Sequence, residues 1–399
     1  MELKNGLGHL SYSTLVHLGD TWAEMNASLR EFVPQVKKRV SPDAPFAVSL
    51  RISASSAKTL TESAAERKSL SEFLAAEDLY VYTVNAFPYG PFKGEIVMER
   101  VYEPDWTTDD RVNYTNSIAD ILAEISPAHI NPSIQTAPLA FKPNVNGESY
   151  IQLFTRNVFR VVAHLRALEE RTGRRVKLAI EPEPACYLET TDETLEWFEN
   201  RIYSPAGIRE LAEVAGIPLS EAEGAVRRYL GIVFDIGHQS VGFENITDSL
   251  TKIVNAGIPI FKLQEAASLW VEELTQDKIP ALRRFTDTIY LSQTSLKQNG
   301  KINKFLNLGE ALDDFEANPV ATEMRTHFHV PVFLEELGPF RTTRFGVQEA
   351  LKMHRATPLS DHLEIETYTW DVLPPELKTG DIIEYVSREL EFVRNELIG

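Results

Sequence analysis

Glu181, Asp235 and Glu366 each stand at the carboxyl-terminal end of a short apolar run, where a side chain with chemistry to do is most useful. Asp235 opens Asp235-Ile236-Gly237-His238, so an imidazole follows a carboxylate by three residues and the pair can converge on one centre, as metal ligand and as substrate contact. His327-Phe328-His329 sets two imidazoles on one face of an extended segment, a spacing that suits a metal or a sugar hydroxyl, and equally an exposed strand or a supporting role. The run Asn85-Ala86-Phe87-Pro88-Tyr89-Gly90-Pro91-Phe92 reads as a loop whose aromatic rings suit stacking on the apolar face of a sugar.

Groups scattered over 300 positions do joint chemistry only if the fold gathers them. Short apolar runs at 10–17, 46–52, 80–86, 130–135, 176–181, 231–235, 259–264 and 363–369 alternate with amphipathic helical stretches such as 22–39, 63–77, 108–125 and 150–172. That alternation marks βα units and a parallel sheet, and eight of them make a closed (β/α)8 TIM barrel. Successive strand side chains point to opposite faces. Aliphatic residues must pack under the helices, so the polar parity is left for the lumen. On that reading Val176, Leu178 and Ile180 face the helices, while Lys177 and Glu181 face inward. In the same way Tyr80, Tyr82 and Val84 face outward against Thr83 and Asn85. Each strand then delivers a polar group near its carboxyl end: His17, Arg51, Asn85, Gln135, Glu181, Asp235, Gln264 and Glu366, with Lys262 below Gln264 and Tyr368 beyond Glu366. Three carboxylates in one partly desolvated mouth repel one another unless a cation intervenes. A divalent metal is one resolution; Arg51 and Lys262 are the competing one.

Composition narrows the partners. The chain has 399 residues, 43% of them hydrophobic, and a formal net charge of −18. No basic run exceeds Val36-Lys37-Lys38-Arg39, so nucleic acid and anionic membrane surfaces are not expected partners. One cysteine, Cys186, permits no intrachain disulfide and suits a reducing, cytoplasmic setting, and no apolar run is long enough for membrane insertion. One domain over 1–399 is expected, with a helical insert near 184–228 and a hairpin and strand insert near 286–334. In the first, Thr190–Glu193 and Ser220–Glu223 read as capping boxes and Ser204-Pro205 as a helix start. In the second, Ile289–Ser295 and Ile302–Leu308 pair around Gln298-Asn299-Gly300, and Thr326–Leu334 adds a strand.

With these pieces in place, the chain resembles the xylose isomerase-like barrel superfamily, which includes ketose epimerases and endonuclease IV-type enzymes. Within it the chain looks like the EboE family of metabolite traffic proteins. The resemblance rests on Asn85–Phe92, Ile180-Glu181-Pro182-Glu183-Pro184, Phe234–His238 and His327-Phe328-His329-Val330-Pro331. It implies a divalent ion (Mn, Mg, Zn or Fe) held by Glu181, Asp235 and Glu366. The superfamily's histidine ligand falls at Gln264, a weaker neutral ligand, which leaves His329 as an alternative. It further implies Glu181 and Glu366 as base and acid in a proton transfer beside a carbonyl. His238 becomes a substrate contact, alongside His17, Arg51, Asn85, Gln135, Lys262, His327 and Tyr368. The implied activity is isomerisation or epimerisation of a sugar or cyclitol-like molecule in a secondary-metabolite pathway. The alternatives are metal-assisted hydrolysis of a small phosphate ester and a non-catalytic barrel that carries a metabolite.

Overall fold

In the computed structural model, which describes residues 1–92, 97–286, 289–371, 378 and 380–398, eight parallel strands form the inner wall. They are β1 (His9–Tyr12), β2 (Phe46–Arg51), β3 (Leu79–Asn85), β4 (Ser133–Thr136), β5 (Lys177–Ile180), β6 (Leu230–Asp235), β7 (Ile260–Glu265) and, after an excursion, β14 (His362–Ile365). Hydrogen bonding runs in the order β1-β14-β7-β6-β5-β4-β3-β2, and a parallel bridge between Ser13 and Ser49 joins β1 to β2 and closes the barrel. All eight expected strand regions are therefore barrel staves. Helices at Trp22–Val40, Ala64–Ala76, Asp109–Ile125 and Glu148–Thr172 fall where the amphipathic stretches predict them, and a further helix, Ala54–Glu62, precedes the second. The aliphatic parity packs beneath these helices: Val48, Leu50, Val176, Leu178, Ile232 and Leu263 all belong to one buried cluster.

The alternation is interrupted on β3 and, by a register shift in its pairing with β6, on β7. A register shift between Val48 and Ser49 in the pairing of β2 with β3 turns Tyr82 inward, where its hydroxyl donates to the Leu363 carbonyl and its ring meets His362 edge-on. Tyr80 and Tyr82 thus plug the lower lumen with Ala47 and Ile130 instead of facing the helices. A bulge carries one extra residue, so every side chain on one side of it swaps faces.

The excursion after β7 is larger than the predicted insert. Strand β8 (Ala267–Val271) starts one residue beyond β7 and joins β9 (Thr294–Gln298), β10 (Lys301–Phe305), β11 (Glu323–Val330), β12 (Glu336–Leu337) and β13 (Phe340–Thr342). Together they form an antiparallel sheet in the order β10-β9-β11-β8-β13-β12. The hairpin turn is where the sequence puts it: Asn299 and Gly300 both adopt positive φ, 49° and 80°, as a two-residue turn of the mirror-image type requires. In the helical insert, Thr190 and Glu193 form the expected capping box and Pro205 opens its helix. Ser220 does not cap: the helix Leu219–Tyr229 already begins one residue earlier, behind Pro218. That helix and Pro205–Ala215 pack on Glu148–Thr172.

Candidate active site

The polar lumen is layered. In the lower layer, Lys262 Nζ lies 3.1 Å from a Glu364 carboxylate oxygen, both side chains fully buried, and the Ser49 hydroxyl donates to the other oxygen of Glu364. Lys262 also donates to Gln135 Oε1 at 2.6 Å, and Gln135 Nε2 donates to Glu181 Oε2 at 2.6 Å, so a chain of oriented groups climbs from the lower layer to the mouth. At the mouth, Glu366 accepts from Asn85 Nδ2 at 2.7 Å and from Gln264 Nε2. Asp235 ends β6 and caps the short helix Ile236–Val241, its Oδ1 accepting from the His238 backbone N–H at 2.9 Å. Gly237 permits this: a Cβ there would lie 3.1 Å from Asp235 Oδ1 and from the Ala266 side chain. Three buried oxygens at or beside the mouth have no hydrogen-bond partner: Asp235 Oδ2, Gln264 Oε1 and Glu183 Oε2.

The imidazoles are oriented with equal care. His238 Nδ1 lies 3.0 Å from the Pro182 carbonyl, and His329 Nδ1 contacts the Glu366 carbonyl. A carbonyl only accepts, so both Nδ1 atoms carry the proton. His327 Nδ1 lies 2.8 Å from Gln293 Oε1. The Gln293 amide is fixed that way round because its Nε2 sits 3.2 Å from Glu183 Oε1 and 3.3 Å from the Pro184 carbonyl, both acceptors. His238 turns its Nε2 toward Asp235 Oδ2, 3.6 Å away, and the Nε2 atoms of His327 and His329 face each other at 2.9 Å. Burial holds both rings neutral: the His329 pKa falls to about 4, and that of His327 lies well below the ordinary imidazole value. Two lone pairs at that separation repel unless an electrophile lies between or beside them. Metal-binding histidines are oriented by such Nδ1–H to carbonyl bonds.

Two sets of potential ligand atoms lie within 4.8 Å of one another, His238 with His327 and His329, and Glu181 with Asp235 and His238, sharing His238. Burial first, then the Glu366, Asp235 and Glu183 charges, pushes the Glu181 carboxyl well above its usual range. Burial, then Glu364 and Asp235, does the same to Glu366. Burial also raises Glu183, which accepts from the Tyr102 hydroxyl at 2.9 Å. Buried carboxylates whose neighbours are carboxylates, beside lone pairs with no proton, are a donor set short of a cation. The residues present fit a divalent metal.

Above this floor opens a cavity lined by Asn85, Glu181, Glu183, His238, His327 and Glu366 at its polar end. Tyr368 lines it too and packs against His329, ring centroids 4.6 Å apart. The cavity does not gather every expected contact. His17 stacks on Phe32 and bonds the Tyr12 hydroxyl, because the chain leaves β1 at Tyr12 in a short helical turn, Thr14–Val16, rather than continuing as strand. Arg51 pairs with Asp20 at 2.8 Å and donates to the Gly19 and Gly90 carbonyls, tying two loops together. Gln135 and Lys262 lie beneath the floor as supports, and Gln264 touches the mouth through Glu366. Neither Arg51 nor Lys262 thus makes an ion pair with Glu181, Asp235 or Glu366.

No family model matches this chain, and no curated protein sequence matches it. Similar solved structures are xylose isomerase-like TIM barrels. One is a xylose isomerase domain protein from Planctomyces limnophilus, 13% identical, TM-score 0.49, covering 98% of this chain and 95% of that one. Another is a xylose isomerase-like TIM barrel protein from Mycobacterium smegmatis in complex with magnesium, 10% identical, TM-score 0.49, covering 98% and 96%. A third is a D-tagatose 3-epimerase-like protein, 15% identical, TM-score 0.47, covering 98% and 97%.

Three participants escape a strand-by-strand reading. Gln293 and Tyr102 orient His327 and Glu183 from outside the barrel, and nothing in their local sequence announces it. Glu183 had a signal, the repeated Glu-Pro of Glu181-Pro182-Glu183-Pro184, which holds the chain extended past the strand end so that both carboxylates reach the cavity. No described helix is long and apolar enough to cross a membrane.

Proposed function

We propose that this chain is a divalent-metal-dependent isomerase or epimerase acting on a sugar or cyclitol-like small molecule at the barrel mouth. One observation carries the reading: three imidazoles, each with its Nδ1 held by a carbonyl oxygen, gather within ligand distance of one another, and one of them, His238, stands equally close to Glu181 and Asp235. Asp235, Glu181, Glu366 and the three histidines would hold the ion, with the unpartnered carbonyl oxygen of Gln264 available to it. When bound, such an ion supplies Lewis acidity to a substrate carbonyl or hydroxyl oxygen. Glu181 and Glu366, on strands three steps apart around the barrel, both reach the cavity as proton acceptor and donor at the carbon beside that carbonyl. Their raised pKa values suit groups that must carry a proton at one stage and release it at another. Asn85 and Gln135 hold the two carboxylates in place, and the aromatic wall excludes bulk water. The resemblance of Asn85–Phe92 and His327–Pro331 to the EboE family supports a role in secondary metabolism, in a chain of one domain working in the cytoplasm.

Hydrolysis of a phosphate ester fits less well, because no lysine or arginine is among the described residues lining the cavity. The test uses one preparation and two readouts. Elemental analysis of protein supplied with Mn, Mg, Zn and Fe should find bound metal in the wild type. Asp235→Asn, which keeps the helix-capping oxygen, should weaken binding about a hundredfold or more. In deuterium oxide, the loaded protein should introduce deuterium beside the carbonyl of a member of a ketose and keto-cyclitol panel, and Glu366→Gln should stop it. Wild type without metal under saturating supply overturns the reading. Metal with turnover but no exchange replaces the proton transfer with a hydride shift; metal with neither turnover nor exchange across the panel replaces the enzyme with a metabolite carrier.

A further inference from the structure

The cavity's floor and walls differ in chemistry. The floor is the carboxylate and imidazole set; the walls are Leu15, Phe92, Met98, Val101, Tyr290 and Leu291. These wall residues belong to two small apolar clusters that stand apart from the main core. One is built from Leu15, Phe92, Val97, Tyr290 and Tyr368, the other from Phe87, Tyr102, Phe141 and Leu291 with their neighbours. The main core runs under the helices; these clusters exist only around the mouth. A site for a free polyol would ring its ligand with amides, hydroxyls and cations to satisfy each hydroxyl, since a hydroxyl buried against hydrocarbon costs binding energy. Among the described residues Asn85 is the one amide in the lining, its nitrogen already bonded to Glu366, and the inward cations are engaged elsewhere, Lys262 with Glu364, Lys177 with Asp361 and Arg51 with Asp20.

We propose that the site takes an uncharged amphipathic molecule, with an oxygen-bearing head on the Glu181, His238 and Glu366 floor and an apolar arm between Phe92, Tyr290 and Leu291. The head rests on the metal-dependent reading above; the arm does not. An anionic arm is disfavoured twice, by the lack of a described cation in the lining and by the carboxylates below it. The unpartnered Asp235 Oδ2 and Glu183 Oε2, both buried, mark the floor as the polar end.

Matched probes separate the two parts. Hydroxyacetone and 2-hydroxyacetophenone share an α-hydroxyketone head and differ in the arm; dihydroxyacetone and its phosphate differ in charge. Binding of all four is measured by calorimetry on metal-loaded and chelator-stripped protein, with metal content read independently. The phenyl probe should bind about tenfold or more tighter than hydroxyacetone, in both forms of the protein. Dihydroxyacetone phosphate should bind no tighter than dihydroxyacetone. Val101→Thr and Leu291→Asn, close to isosteric, should each cut the phenyl preference about threefold while leaving metal stoichiometry unchanged. A preference that persists in protein found to bind no metal keeps the arm and discards the metal-bound head. Equal affinity for the phenyl and methyl probes, tighter binding of the phosphate, or no binding of any probe overturns the proposal.

Discussion

Glu364 and Glu366 are two residues apart, point into the same lumen, and live in opposite electrostatic settings. Glu364 has Lys262 at 3.1 Å and the Ser49 hydroxyl. Glu366 has two neutral amides, and the charges of Glu364 and Asp235 act against its ionisation more than Lys262 favours it. The lower layer pairs its charge within the chain; the mouth gathers carboxylates and imidazoles with no cation in contact among the described residues. Polar residues inside a barrel are thus not of one kind. Where each charge meets its opposite, the group holds the fold; where carboxylates and lone pairs face one another, the arrangement costs stability unless a cation joins it.

Breaking the lower layer should have the largest effect. Lys262→Met leaves Glu364 buried without its partner and should cost about 3–5 kcal/mol in urea denaturation, most of which Glu364→Leu in the same chain should restore. A small loss in the single variant would mean that the lower layer is not the structural half of the comparison. Glu389 offers a third setting, a buried carboxyl with no cation paired to it among the described residues. It accepts from the Thr367 hydroxyl and the Val332 amide, and burial raises its pKa to about 8. A raised folded-state pKa contributes stability that is full below the unfolded value near 4.5 and is lost as pH rises through about 8. Glu389→Gln, which imitates the protonated acid, should match wild type near pH 4.5 and be more stable at pH 9 by on the order of 3 kcal/mol. A pH-independent difference would refute this. The smallest effect sharpens the mouth. Glu181→Gln keeps an oxygen for Gln135 and removes one repelling charge. In metal-stripped protein at pH 8 it should raise Tm by roughly 2 °C. Because the folded pKa is raised, that gain should vanish as the solution is acidified toward the ordinary carboxyl range. With metal present the sign should reverse, and the same sign in both states would remove Glu181 from the ligand set.

The barrel was legible because its signal is local and repeated eight times. Each stave needs an aliphatic face under a helix, and Val48, Leu178 and Ile232 record that face in the sequence. Parity then pointed Asn85, Glu181, Asp235 and Glu366 at one mouth. It failed at Tyr80 and Tyr82, where a bulge alters the count without altering composition. It failed again at His17, where the strand ends at Tyr12 and the alternation has no further meaning.

What the sequence determined by itself is what depends on one strand and its own helix: the eight staves, the inward polar parity, the Asp235–His238 pair and the Asn299-Gly300 turn. Tertiary structure decided which charges meet. Lys262 and Glu364 lie 102 positions apart in the sequence and 3.1 Å apart in space. His327 reaches His238 only because β11 of the second sheet folds down against the mouth. Electrostatic pairing acts through space at a few ångströms, and no periodicity along a chain records which distant strand will bring the partner.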